Sequence, residues 1–340
     1  MVAATPLAAQ SQLKLFDPTS SPPTDRFSVE GITLYHADVV SLYDQLSSPT
    51  VIVSDGAYGL GLFPNDPHQV EQLTAWYRPH IEAWSQFALP ETTLWFWNSE
   101  LGWATVHPLL VAHGWRYVSC HIWDKGIAHA AGNSNTQTLR KFPVVTEVCV
   151  QYVREVQING LSLRDWLRKE WERTGIPFYK ANEACGVKNA ATRKYLTKDH
   201  LWYFPPPDAF MQMAAYANRH GKPSGLPYFS RDGKQAIQAT EWAQLRAKFY
   251  CKPGITNVWH SPALNGSERV KIAQKSVHLN QKPLKLLDLI IESSSDTGDM
   301  IWEPFGGLCS TAVSARRLGR RCISAETERD FFDLAVGRFV

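Results

Sequence analysis

The feature that most constrains this chain is the run Glu303-Pro304-Phe305-Gly306-Gly307-Leu308-Cys309-Ser310-Thr311, which lies close to the end of its 340 residues. An apolar stretch, Met300-Ile301-Trp302, leads into it. A helix predicted from Ala312 to Leu318 follows, then a second strand from Arg321 to Ala325 that ends in Glu326. Strand, glycine turn, helix, strand and terminal acid make half of a nucleotide-binding α/β unit. The glycines let backbone approach a ligand, and an acid at the second strand tip can accept from both hydroxyls of a ribose. Such a site normally opens its domain. Here little chain follows it, so the other strands of the sheet must come from upstream and the domain must be circularly permuted.

The missing half is present upstream. Ile32-Thr33-Leu34-Tyr35-His36-Ala37-Asp38 reads as a short strand ending in an acid, and Thr50-Val51-Ile52-Val53 as a continuous apolar strand that runs into Ser54-Asp55-Gly56-Ala57-Tyr58-Gly59. Continuous apolar runs suit strands buried on both faces of a parallel sheet. Loops leaving the carboxyl ends of such strands are where open α/β sheets bind ligands. A helix is expected from Val70 to Phe87, a strand from Thr92 to Asn98, and a helix from Leu101 to His113 closed by Gly114. A strand from Trp115 to Trp123, a polar loop over 124–141 and further strand from Val144 to Val153 complete this block.

Three motifs in this order resemble those of the permuted, β-class DNA amino-methyltransferases, which act on adenine N6 or cytosine N4. Their Asp-Pro-Phe-x-Gly-x-Gly-Thr is similar to Glu303 through Ser310. Their His-Pro-Thr-Gln-Lys-Pro is similar to His278-Leu279-Asn280-Gln281-Lys282-Pro283, and their Asp/Ser-Pro-Pro-Tyr to Asp55-Gly56-Ala57-Tyr58. The match covers roughly residues 30–155 and 255–340. It implies a permuted Rossmann-like α/β fold with a mostly parallel sheet, plus a mainly helical target-recognition insert. The implied organisation is a flexible arm over 1–23, a catalytic half over 24–155, the DNA-reading insert over 156–250 and a cofactor-binding half over 251–340. The chain departs from the pattern where Gly56 and Ala57 replace both prolines, Glu303 replaces Asp and Cys309 replaces a glycine. A side chain at 309 is disfavoured if the turn there needs a positive φ.

The resemblance implies S-adenosylmethionine as methyl donor and double-stranded DNA as substrate, with a cognate restriction endonuclease as a candidate partner. An exocyclic ring amine is a poor nucleophile, because its lone pair is delocalised. Acceptors on its hydrogens can aim that lone pair at the methyl group; Asp55 and the Gly56 carbonyl are the candidates, with Tyr58 stacking on an extruded base. Cofactor contacts are expected from Asp38, Asp55, Gln281, Lys282, Pro283, Glu303, Phe305, Gly306, Gly307, Ser310, Thr311 and Glu326. Within that set, Ser310 and Thr311 open a helix whose N-terminus can bind a carboxylate. In the family, Asp at the first catalytic position goes mostly with adenine N6 and Ser with cytosine N4. Asp55 therefore favours adenine, with cytosine N4 as the alternative. A DNA-binding homologue without catalysis, or an enzyme acting on RNA or a small molecule, are the competing classes.

The stretch from 160 to 250 breaks the α/β rhythm. Helices are expected over Leu161–Thr174, Tyr179–Cys185 and Asn189–Leu196. The last two, with Gly186-Val187 between them, resemble a helix-turn-helix that would present Asn189, Thr192, Arg193 and Lys194 to DNA. Asp208 could cap a further helix over Ala209 to Arg219. Net charge is only +3, yet between Arg246 and Lys285 eight basic residues face one acid, Glu268. That run reads as a phosphate-contacting face including Lys271, Lys275 and His278. Six cysteines are scattered without metal-ligand spacing and no apolar run approaches a membrane span, so a reducing, cytoplasmic setting without metal is expected. Residues 1–23, rich in Ala, Ser, Thr and Pro, lack the pattern of a signal peptide.

Overall fold

The computed structural model describes residues 25–340 apart from 62, 64, 131–138, 265, 273, 274, 278 and 279. Nine strands form one sheet: β1 (Asp25–Val29), β2 (Ile32–His36), β3 (Val51–Ser54), β4 (Thr93–Asn98), β5 (Trp115–Asp124), β6 (Thr146–Arg154), β9 (Val258–His260), β12 (Met300–Glu303) and β13 (Arg321–Glu326). Their spatial order is β1-β2-β13-β12-β3-β4-β6-β5-β9. The short pairs β7 (Gln157–Ile158) with β8 (Leu161–Ser162), and β10 (Lys271–Ile272) with β11 (Lys275–Ser276), lie outside it.

The two C-terminal strands sit in the middle of the sheet. β12 pairs in parallel with β13 on one side and with β3 on the other, Ile301 opposite Val51 and Trp302 opposite Ile52. The chain is thus permuted as the sequence predicts. From β12 the chain crosses to β13 through α8 (Ser310–Arg317), whereas from β3 it crosses the other way to β4 through α1 (Leu73–Phe87). The carboxyl ends of β12 and β3 therefore open into the crevice of a topological switch point. β6 is antiparallel to β4 and β5, which brings its first residues to the same edge.

The alternation of a strand divides the core into two layers. Val51, Val53, Trp95 and Trp97 face a layer with α7 (Leu284–Ser294), α8 and α9 (Arg329–Val336). Ile52, Leu94 and Phe96 face the other, with α1 and α2 (Glu100–Ala112). All four residues of β3 and all six of β4 are buried, which accounts for their continuous apolar sequences. Helix α2 begins at Ser99, whose side chain accepts from the Gly102 N–H, and ends before Gly114 at φ 80°.

Two edge strands escape the sequence reading. β1 folds back on β2 through Glu30-Gly31, both at positive φ as a two-residue hairpin turn requires. β9 has only three residues and pairs in parallel with β5. Residues 158–245 build a third aromatic core of their own, in which Trp242 stacks on Phe204 at 4.5 Å and on Phe210 at 4.0 Å. There α3 (Leu163–Arg173), α4 (Lys180–Ala184) and α5 (Pro207–His220) stand where helices were expected, 191–195 form a π-helical turn instead of a helix, and the short α6 (Ala239–Ala243) was not expected. The expected helix-turn-helix is therefore two five-residue turns rather than two full helices. Among the described residues no helix is long and apolar enough to cross a membrane and no group of side chains could hold a metal ion. Residues 1–23, expected as an arm, lie outside the described residues.

Candidate active site

A cleft of about 250 Å³ opens where β12 and β3 end. Its cofactor-like wall comes from the C-terminal motif. Gly306 and Gly307 line it, and Gly307 donates its N–H to Glu326 at 2.5 Å. Glu326 stands at the tip of β13 and also accepts from the Glu328 N–H at 2.8 Å through its other oxygen. With the Thr327 N–H as a third backbone donor, the carboxylate still keeps acceptor capacity for a hydroxyl. Burial raises the Glu326 pKa. Phe305 lies against Trp76 at 5.1 Å and His80 at 4.8 Å. Burial lowers the pKa of His80 to about 4, so it packs there as a neutral ring.

Glu303 corrects an expectation. Its carboxylate, 4% exposed, accepts from the N–H groups of Thr311 at 2.7 Å and Ala312 at 3.1 Å. It caps α8 and fills the anion seat assigned to a cofactor carboxylate at Ser310 and Thr311. Ser310 is further tied by the Arg338 guanidinium at 3.0 Å. Burial pushes the Glu303 carboxyl up to about 7. Cys309 adopts φ 50° and ψ 44°, the left-handed conformation that favours the glycine it replaces. Its thiol is buried 3.3 Å from the Ser324 hydroxyl, and the surrounding packing holds the turn.

The opposite wall is the loop after β3. Asp55 Oδ1 accepts from the Tyr58 hydroxyl at 3.0 Å and from the Lys282 ammonium at 2.8 Å. Tyr58 is thus anchored by its hydroxyl, and burial followed by the Asp55 charge raises its pKa well above the usual value. Asn98 at the end of β4 and Tyr77 on α1 both donate to the Ala57 carbonyl, at 2.9 and 3.1 Å. Asp66 gathers the N–H groups of Tyr58, Gly59 and Leu60 within 2.9–3.2 Å. The glycine at 56 has a physical reason: a Cβ there would lie 2.7 Å from the Phe305 ring and 2.8 Å from the Tyr77 hydroxyl. Asp66, Asn98 and Tyr77 shape this loop but carry no signal in the sequence, because each acts on backbone brought close only by the fold.

The third motif reaches the cleft through Gln281 and Lys282, although the Gln281 amide is also spent on the Val270 N–H and the Glu268 carbonyl, at 3.1 and 3.0 Å. Pro283 opens α7 and is not among the lining residues. Asp38 lines the cleft while one oxygen caps the turn Val39–Ser41 through the Val40 N–H.

Asn189, Arg193, Lys194 and Lys271 are exposed. Thr192 is held by Asn182, which accepts from its N–H and donates to its hydroxyl, both at 3.1 Å. His278 lies outside the described residues. The basic run is not one open face: Lys248 pairs with Asp296 and Asp299, Lys252 with Glu292, and Lys282 with Asp55.

Six carboxylates line the cleft, from Asp38, Asp55, Asp66, Glu303, Glu326 and Glu328, against the one lysine, Lys282. That acidic lining and the open acceptors on Glu326 fit a cationic, ribose-bearing group such as S-adenosylmethionine.

The type II methyltransferase M.ScaI of Streptomyces caespitosus is 30% identical over 177 residues, which are 49% of this chain and 52% of that protein. The type II methyltransferase M.HinfI of Haemophilus influenzae is 39% identical over 83 residues, 24% of this chain and 23% of that one. The matches thus span about half and about a quarter of those relatives. Among solved structures, the cytosine-N4-specific PvuII DNA methyltransferase shares the fold with a TM-score of 0.52 at 10% identity, over 91% of this chain and 86% of that one. Residues 50–337 match the DNA methylase family of N6 and N4 methyltransferases, and the chain belongs to that family.

Proposed function

We propose that this protein methylates double-stranded DNA, transferring the methyl group of S-adenosylmethionine to the exocyclic amine of an extruded base, with adenine N6 favoured. One observation carries the reading: the Asp55–Tyr58 loop and the Gly306, Gly307 and Glu326 group, far apart in sequence, line one cleft. Family membership brings S-adenosylmethionine as the donor, and its sulfonium supplies an already activated methyl group. The protein contributes position and charge. Glu326 and the two glycines hold the ribose end. Asp55 accepts one hydrogen of the target amine through Oδ2, which makes no hydrogen bond among the described residues. The Gly56 carbonyl takes the second hydrogen, and the amine lone pair is left pointing at the methyl group. The Tyr58 ring, fixed through its hydroxyl, supports the base.

Asn189, Arg193 and Lys194 in the insert, with the exposed Lys271, supply the DNA contacts. Asp at the first loop position favours adenine. Mass spectrometry of nucleosides from plasmid methylated by the protein tests this reading. N6-methyladenine is expected. N4-methylcytosine alone overturns the base assignment, and no modified DNA base with intact cofactor binding overturns the DNA reading.

A further inference from the structure

A chain of alternating charges runs from Asp55 and Lys282 in the cleft to Glu147 and Lys125 behind it, and the account of methyl transfer leaves it unexplained. Lys282 Nζ is 2.8 Å from Asp55 Oδ1 and 3.7 Å from Glu147 Oε2, and Glu147 Oε1 is 3.4 Å from Lys125 Nζ. The Lys282 side chain is 3% exposed, and those of Glu147 and Lys125 are each 13% exposed. The Tyr58 and Trp97 rings each lie 5.4 Å from the ammonium, and Tyr58 accepts a hydrogen bond from it at 3.2 Å. Burial pulls the Lys282 pKa down, but the charges of Asp55 and Glu147 outweigh it and the net shift is upward. Glu147 Oε2 is buried with no hydrogen-bond partner. A buried carboxylate oxygen left unpaired is costly, so its place beside the ammonium calls for a reason.

The geometry points to Lys282 as a positioning residue for methyl transfer, seated by Glu147. Two donors, Lys282 and Tyr58, converge on Asp55 Oδ1 and use its lone pairs. That fixes the rotation of the carboxylate and reserves Oδ2 for the target amine. Besides Asp55 and Tyr58, the only hydrogen-bond acceptor that the ammonium reaches among the described residues is the Asn280 carbonyl, at a long 3.4 Å, which is a weak restraint on a long, rotatable side chain. Glu147, at the start of β6 and behind the residues that line the cleft, draws the ammonium to one place by attraction without occupying the donor that Asp55 uses. The carboxylate is then aligned before the base arrives, and the alignment costs nothing at the moment of reaction. Glu147 touches neither base nor cofactor in this scheme and acts only through Lys282.

The inference rests on the proposed methyl transfer, and the test separates the two. Wild type, Lys282→Met, Glu147→Gln and the double variant are compared by single-turnover transfer from labelled S-adenosylmethionine to plasmid DNA. Cofactor and DNA affinities are measured on the same samples, and rates are expressed per folded molecule. Each single variant is expected to slow the transfer step on the order of 100-fold, the scale of a misplacement of about 1 Å. Affinities for cofactor and DNA should stay within about threefold in Glu147→Gln, whose side chain does not line the cleft, and the double variant should lose little beyond the worse single one, because the two side chains act as a unit. Glu147→Gln transferring at the wild-type rate per folded molecule, or effects that multiply in the double variant, overturns the inference alone. A wild-type protein that binds cofactor and DNA yet transfers no methyl group overturns the proposed function and this inference with it.

Discussion

Replacing Gly56 by alanine adds one methyl group where the catalytic loop meets the cofactor motif. Gly56 is not at positive φ, so its backbone conformation suits alanine and any effect is steric. The new Cβ would lie 2.7 Å from two Phe305 ring carbons and 2.8 Å from the Tyr77 hydroxyl, against about 3.5–4.0 Å for a relaxed carbon contact. Phe305 is wedged between Trp76 and His80, so the loop rather than the ring must give way. Overpacking of this kind costs about 1–3 kcal/mol. Moving the Tyr77 hydroxyl also loosens its 3.1 Å bond to the Ala57 carbonyl, worth about 1 kcal/mol more. Urea denaturation should therefore show a loss of roughly 2–4 kcal/mol, the sum of those two effects. A displacement of about 1 Å at Asp55 should slow single-turnover methyl transfer on the order of 100-fold. Gly225→Ala, where a Cβ meets nothing within 4 Å, serves as the control and should stay within about 0.5 kcal/mol. Wild-type stability and rate in Gly56→Ala would refute the packing argument.

Glu326→Ala should weaken S-adenosylmethionine binding by roughly 10- to 100-fold in calorimetry, the worth of one or two hydrogen bonds to a charged group; unchanged affinity would remove Glu326 from the cofactor site. The Glu303 carboxyl is held up to about 7 from 4.5, so the folded state binds its proton more tightly than the unfolded chain does. The stability this gives is fully present below pH 4.5 and is lost as pH rises through 7, a fall of up to about 3 kcal/mol. Relative to Glu303→Gln, denaturation midpoints should show that fall, and parallel pH profiles would count against it. Lys271→Ala should weaken binding to all DNA sequences alike and lower the salt slope by about 0.9; an altered preference among sequences with an unchanged slope would show that Lys271 reads bases.

The permuted order was legible because it depends on local signals in a fixed sequence: apolar strands, glycines and acids at strand tips. Residues acting across the fold were not. Asp66, Asn98 and Glu147 carry no spacing pattern, and their roles appear only when β4, β6 and the loop after β3 meet at one edge of the sheet. Glu303 lines the cleft but has a second role that was hidden for a related reason. Its place in the motif suggested a ligand contact, but the longer acid reaches the first N–H groups of α8 and caps the helix. The run of basic residues looked like one surface because the acids that pair with it, Asp296, Asp299, Glu292 and Asp55, lie outside any short window. Cys309 was legible as a difficulty, and its positive φ bears that out.

The most direct test of the central claim is Asp55→Asn. The substitution keeps the size of the side chain. Lys282 and Tyr58, both donors, will hold the amide oxygen at the Oδ1 seat, at 2.8 and 3.0 Å in the native pair. The NH₂ group is then forced into the position reserved for the target amine, donor against donor. Single-turnover methyl transfer should fall on the order of 100- to 1000-fold, with cofactor and DNA binding retained. Transfer at the wild-type rate in this variant would contradict the claim that the Asp55 carboxylate orients the amine.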